Sequence, residues 1–243
     1  MGLMQGVTEF LPISSSGHLV ILQELLRWKG PRLEFDVAVH VGTLFAILVV
    51  LHKKIWSLIR DPLAYPNRLI LLGTLPTAVA GLIVHFFARR AFESGILAST
   101  MLILTGFYLW STRKVSRGKK NALGTSPLDA LLVGIAQGLS VLPGLSRSGL
   151  TIATGLHRGL ERQWAGEFSF LLAIPALVGA AILEAPRMAK APVLPLAMGT
   201  VSAFLSGSLA LLFLLKVVRG GKLHRFAPYC WVVGIGYTVL VLL

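Results

Sequence analysis

The sequence has a single cysteine, Cys230, which excludes an internal disulfide and a thiolate metal cluster. Charge is also scarce. Only 14% of the 243 residues are Asp, Glu, Lys or Arg, against roughly a quarter in soluble domains. Acidic residues are scarcest, 10 against 23 basic. In a soluble chain the net charge of +13 would point to nucleic acid. What the sequence has instead argues otherwise. It is 55% hydrophobic, with mean hydropathy +0.76. Runs such as Arg68–Phe87 and Leu194–Leu215 approach or reach the ~20 residues of a membrane-crossing helix. The expectation is an all-α polytopic membrane protein whose basic residues sit in cytoplasmic loops, with no nucleic-acid partner. The start, MGLMQG, has no basic segment or cleavage site, so no removable signal is expected.

The chain repeats itself. QGVTEFLPISSSGH (5–18) aligns without a gap on QGLSVLPGLSRSGL (137–150). EFDVAVHVG (34–42) resembles EFSFLLAIP (167–175), and GTLPTAVAG (73–81) resembles GTVSAFLSG (199–207). Three matches in one order divide the chain into repeat 1 (1–110), a basic linker (111–127) and repeat 2 (128–243). One asymmetry stands out: SPLDALL (126–132) has no counterpart in the first half. Either the first half-helix is short or the true start lies upstream.

Each of the two polar segments is an apolar stretch, a Pro/Gly/Ser break and a further apolar stretch of about eleven residues, roughly 16 Å of helix. That is half a bilayer core. Charge counting separates the topologies. If residues 1–27 and 128–157 are re-entrant and six other segments span, the loops divide fifteen basic residues against seven, with Arg147 inside. If both segments span, the division is eleven against eleven. The re-entrant arrangement obeys the positive-inside rule. The halves then form an inverted repeat, each a re-entrant helical hairpin plus three transmembrane helices. Hairpin tips meet near the midplane and both termini face outward.

Intramembrane ionisable groups are costly and point to function. Glu9 and His18 lie on the first hairpin and Arg147 in the second hairpin's break, among the hydroxyls of Ser14, Ser15, Ser16, Ser146 and Ser148. Helix N-termini opening at Gly17 and Gly149 suit an anion. An arginine can hold two phosphate oxygens. A serine near a histidine can act as nucleophile, and a carboxylate can orient the imidazole or hold a divalent cation. Together these indicate phosphoryl chemistry on a substrate partly in the membrane. Blander readings stand beside this one. Membrane serines also bond backbone, Glu9 with Arg147 could be a structural pair, and hydroxyl-rich hairpin tips also make transporter ion sites. His40 reads as a packing residue within a span. His52, His85, His157 and His224 read as interfacial, and Asp129 and Glu161 as helix-end residues.

QGVTEFLPISSSGH and PGLSRSGLT resemble the two signature motifs of the undecaprenyl-diphosphate phosphatases of the bacitracin-resistance type. Gln5, Glu9, Pro12, Ser14, Ser15, Gly17 and His18 meet the first, and Pro143, Gly144, Ser146, Arg147, Ser148 and Thr151 the second. The resemblance implies hydrolysis of a C55 polyprenyl diphosphate to the monophosphate, which recycles the carrier lipid of peptidoglycan synthesis and confers bacitracin resistance. It also implies a bacterial plasma (inner) membrane location, a site opening to the outer face, and a magnesium or calcium ion. Gln5 stands where many members carry an acid, leaving Glu9 the motif's one carboxylate and the expected metal ligand. On this reading Ser15, ahead of Ser14, is the nucleophile. His18 takes its proton or protonates the leaving oxygen, and Glu9 orients His18 or holds the cation. Arg147, Ser146, Ser148 and Thr151 bind phosphate oxygens, with Gln5, Ser14, Ser16, Gly17 and Gly149 completing the substrate site. A metal-activated water is the alternative nucleophile. A transporter or flippase for a phosphorylated lipid or small anion is the alternative function. His18, three residues from Ser15, favours the enzyme. Membrane lipids and a second copy of the chain are further expected partners.

Overall fold

The computed structural model describes residues 1–26, 32–87, 94–188 and 193–242, and among these they form helices and turns with no strand. Arg27, Lys29, Arg89, Arg90 and Lys190, five of the seven basic residues counted on the sparser side, lie outside the described residues. The helices are α1 (Gly2–Phe10), α2 (Ser15–Leu25), α3 (Arg32–Val50), α4 (His52–Arg60), α5 (Tyr65–Phe87) and α6 (Gly95–Ser111). They continue as α7 (Pro127–Leu139), α8 (Arg147–His157), α9 (Arg162–Met188), α10 (Val193–Arg219) and α11 (Ala227–Leu242).

Length and apolarity separate two kinds of helix. Five helical stretches could cross a bilayer, in α5, α6 (continued to Lys114), α9, α10 and α11 (extended back to Leu223). A sixth candidate is α3 and α4 taken together, a pair bent by 77° at Leu51. The sequence reading counts Lys53, Lys54 and Arg60 among the loop basic residues of one side. Instead Ile55 and Leu58 pack on the core while Trp56 and Ile59 stay exposed, and the segment folds as a helix. On α5 the exposed face is Leu71 (66%), Leu75 (60%), Val79 (58%) and Phe86 (69%), an apolar stripe that water would not tolerate. The chain is an all-α polytopic membrane protein.

The other helices, α1, α2, α7 and α8, have 9, 11, 13 and 11 residues, too short to cross. They pack as pairs, α1 with α2 and α7 with α8. The leading helix of the first pair is the shorter, in line with the unmatched SPLDALL segment. Each second helix starts on a serine cap. Ser14 Oγ accepts from Gly17 N and Ser146 Oγ from Gly149 N, at 3.2 and 3.1 Å. α7 carries a full capping box between Ser126 and Asp129, with Pro127 at its first position.

Each leading helix lies against a long helix of the other half, α1 on α10 and α7 on α5. Glycines set both crossings. A Cβ on Gly134 would lie 2.8 Å from Gly73 Cα, and one on Gly2 would lie 2.6 Å from the Gly199 carbonyl oxygen. Gly73 and Gly199 correspond in the sequence repeat, and extending its first match back by three residues pairs Gly2 with Gly134. Gly134→Leu is expected to force α5 and α7 apart and leave the protein aggregated, read as loss of the monodisperse peak on size-exclusion chromatography in detergent.

One end of the bundle gathers basic loops. Lys120 Nζ and Arg158 Nε each bond the fully buried Asp129, both at 2.7 Å, so Asp129 ties the linker down as well as capping α7. Lys120 N also donates to Gly159 O, and Glu161 N to Lys120 O. Trp164 Nε1 and Tyr65 Oη donate to Thr125, and Lys54 lies 3.7 Å from Glu167.

Candidate active site

The hairpin tips touch. A Cβ on Gly17 would lie 2.9 Å from Gly144 Cα, so this glycine is needed where one break crosses the other. Gly149 packs close to Ser146 and Leu109. The sequence reading has both glycines admitting an anion to the backbone; they instead admit neighbouring protein. Ser148 Oγ donates to Leu11 O at 3.3 Å, and Cys230 Sγ to Pro12 O at 3.6 Å, fastening the first break from two sides.

Glu9 is the hub. It is 7% exposed, on the last turn of α1. Gln5, one turn earlier, donates to Oε2 at 3.0 Å. Ser15 Oγ donates to the same oxygen, and Arg147 Nη2 from the opposite hairpin is paired with Oε1. His40 Nε2 of α3 lies 3.5 Å from Oε2. Its other ring nitrogen, Nδ1, is 2.6 Å from the Asp36 carbonyl, which can only accept, so Nδ1 carries a proton and Nε2 faces Glu9. Arg147 also lies over the Phe170 ring, 6.0 Å from its centroid, and its buried Nη1 has no protein partner. A guanidinium with an unspent buried N–H group is suited to a further anion.

Ser14 has φ +67, the positive-φ residue other than glycine among the described residues. Such a conformation is strained. It lets the hydroxyl cap α2 while the Ser14 carbonyl meets His18 Nδ1 at 2.8 Å. That second bond carries a correction. His18 is not beside Ser15 and Glu9: its Nε2 meets Tyr229 Oη at 2.9 Å and the two rings stack. Residues three apart share a helix face, but the contacts to the Ser14 carbonyl and to Tyr229 hold the ring on the α11 side. Glu9 therefore orients Ser15 and Arg147, not His18.

A cavity of about 950 Å³ opens over this cluster. Glu9, Ser14, Ser15, Ser16, Ser146 and Arg147 line its polar end, and Leu82, Val84, Ile182 and Leu183 its far wall. Gln5 is buried behind Glu9. Thr151 is turned away, its hydroxyl 2.7 Å from the Arg147 carbonyl and 2.5 Å from Ser169 Oγ, and Ser148 is occupied at the hairpin contact. Neither lines the cavity, in contrast to the phosphate-binding role expected of both. The sequence reading assigns His40 to packing and gives Gln23, Asp36 and Gln137 no part in the site; all four line the cavity. For two of them there was a signal: Asp36 and His40 are four apart in one of the repeated segments, hence on one face of α3.

The donor set tests the expected cation. Among the described residues no three His, Cys, Asp or Glu side chains come together to hold a metal. Glu9, the expected ligand, already meets Arg147, Ser15 and Gln5. These residues do not fit a resident divalent ion.

Residues 1–236 match the family described as bacitracin resistance protein BacA. The chain belongs to this family. Among similar members, one from Carboxydothermus hydrogenoformans is 45% identical over all of this chain and 95% of its own. One from Desulforapulum autotrophicum is 41% identical over 97% and 94%, and one from Korarchaeum cryptofilum 40% over 99% and 97%. All three carry the name undecaprenyl-diphosphatase. Within this BacA-family chain, both signature segments converge on the Glu9–Arg147 pair.

Proposed function

We propose that the protein is an undecaprenyl-diphosphatase, hydrolysing the C55 polyprenyl diphosphate to the monophosphate and inorganic phosphate. The observation that carries this is Ser15 held by Glu9 opposite Arg147, at the polar end of a cavity with apolar walls. The relatives' shared name supports the same reading. Ser15 Oγ attacks the terminal phosphorus and passes its proton to Glu9. The bond from phosphorus to the bridging oxygen breaks, and the polyprenyl monophosphate leaves with that oxygen. Water then cleaves the phosphoserine, releasing phosphate and restoring Ser15. Arg147, whose buried Nη1 has no protein partner, stabilises the charge that gathers on the phosphoryl oxygens. No step is assigned to a magnesium or calcium ion, since Glu9 is committed to Arg147 and Ser15.

The two halves are read as an inverted repeat. The identical spans of α2 and α8, 132 residues apart, support this, as do the matched glycine crossings of α1 on α10 and α7 on α5. The gathering of Lys54, Lys120, Arg158 and Arg162 at one end supports a cytoplasmic face there. The cavity runs the other way, along Gln23, Val84 and Leu183, each close in sequence to a loop counted on the sparser side. That supports an opening toward the outer face of the plasma membrane.

The test is phosphate release from C55 diphosphate by the purified protein in detergent. Stoichiometric phosphate and monophosphate are expected; binding without release would move the reading to a carrier. The place of His40 can be measured in the same assay. His40→Leu is expected to lower kcat/KM by about tenfold, ~1.4 kcal/mol, while His40→Gln, still polar at the edge of Glu9, recovers most of it.

A further inference from the structure

Glycine inside a helix is destabilising relative to alanine, so each one asks for a reason. For Gly2, Gly73 and Gly134 the reason is close helix approach. Gly81 of α5 and Gly179 of α9 have none of that kind. Both are mid-helix without positive φ, and a Cβ added to either would meet nothing within 4 Å. What they share is the cavity, which both line.

The sequence repeat sharpens the point. Gly81 corresponds to Gly207, and continuing the EFDVAVHVG/EFSFLLAIP match by four residues pairs Gly179 with Ala46. In that corresponding place the space is shut. A Cβ on Gly207 would lie 2.7 Å from Phe10 Cε2 and 3.5 Å from Ala46 Cβ, and Phe10 is fully buried. The same arrangement of helices is thus plugged by an aromatic ring in one half and left open in the other. Gly81 lies one helical turn, about 6 Å along α5, beyond Thr77, which also lines the cavity.

We infer that Gly81 and Gly179 hold open the channel through which the first isoprene units of the lipid tail leave the diphosphate site, and so set the enzyme's access to long polyprenyl chains. This rests on the proposed phosphatase reading. A large side chain at these positions would occupy the tail's path without touching Ser15, Glu9 or Arg147.

The experiment compares wild type with the double variant Gly81→Leu/Gly179→Leu in detergent, reading KM for C55 diphosphate and the inhibition constant of inorganic pyrophosphate, which has no tail. KM is expected to rise at least about tenfold, with pyrophosphate inhibition unchanged within about twofold. Gly81→Ala/Gly179→Ala, which adds one methyl group on each wall, is expected to unfold at a higher temperature and to raise KM by a smaller factor, about two- to threefold. Gly236→Leu, at a glycine equally free of neighbours but off the cavity, is expected to change neither constant. An unchanged KM in the leucine variant would overturn the channel. So would a parallel rise in both constants, since bulk would then be disturbing the phosphate site. Absence of phosphate release by the wild type would instead remove the phosphatase reading itself, and the channel with it.

Discussion

Arg147→Ala is expected to cut phosphate release from C55 diphosphate by about a hundred- to a thousandfold. Phosphoryl transfer leaves the protein little covalent work, so positioning and charge stabilisation dominate. Removing one preorganised donor to a developing charge costs about 2.7–4 kcal/mol. Arg147 is the basic side chain that reaches the polar end of the cavity, and its buried Nη1 is without a protein partner. The alanine variant has a second effect, because Glu9 loses its counter-charge inside the protein. An uncompensated buried charge costs about 3–5 kcal/mol of stability. Arg147→Lys separates the two effects. A lysine keeps a positive charge near Glu9 but cannot present two parallel N–H groups to a phosphate. Its unfolding temperature is expected to stay close to wild type while activity still falls by at least about tenfold. Wild-type turnover in Arg147→Lys would mean that the guanidinium serves the fold alone and that the phosphate is held elsewhere.

The parts of this molecule that were legible in its sequence are those written in local patterns. Apolar length separated the spanning helices from the short ones. The 132-residue offset anticipated two second helices with identical spans, and the two motifs located the breaks that meet. Glu9 and Arg147 could be paired beforehand because few intramembrane ionisable groups were available. What escaped depended on side-chain direction or on partners distant in sequence. His18 reads as Ser15's neighbour by number, yet Tyr229, 211 residues away, and the Ser14 carbonyl take both its ring nitrogens. His40 reads as packing on α3 because nothing local says that α3 passes Glu9. Thr151 belongs to the motif, but its hydroxyl turns to Ser169. The clamp of Lys120 and Arg158 on Asp129 joins three separate segments, and no spacing announces it.

Ser15→Ala is expected to lower turnover by about a thousandfold or more while leaving the protein folded, because removing a nucleophile removes a step and not only a contact. Ser15 donates to Glu9 on the cavity wall, so the acceptor for its proton is already in contact. Ser14 offers a contrasting variant. Its hydroxyl caps α2, so Ser14→Ala is expected to cost about 1 kcal/mol of stability and a smaller share of activity. Glu9→Gln keeps the size of the hub but cannot take a proton, and it should approach the loss of Ser15→Ala. Because the two residues act as a unit, Ser15→Ala/Glu9→Gln should be little worse than either alone. The intermediate is directly observable. Substrate labelled in its terminal phosphate, mixed with wild type and quenched in acid within a turnover, should leave label on the peptide that contains Ser15, and Ser15→Ala should leave none. Wild type that stays unlabelled under these conditions, with Ser15→Ala retaining substantial activity, would hand the attack to water. Ser15 would then be a phosphate ligand, and Glu9 the base acting on that water.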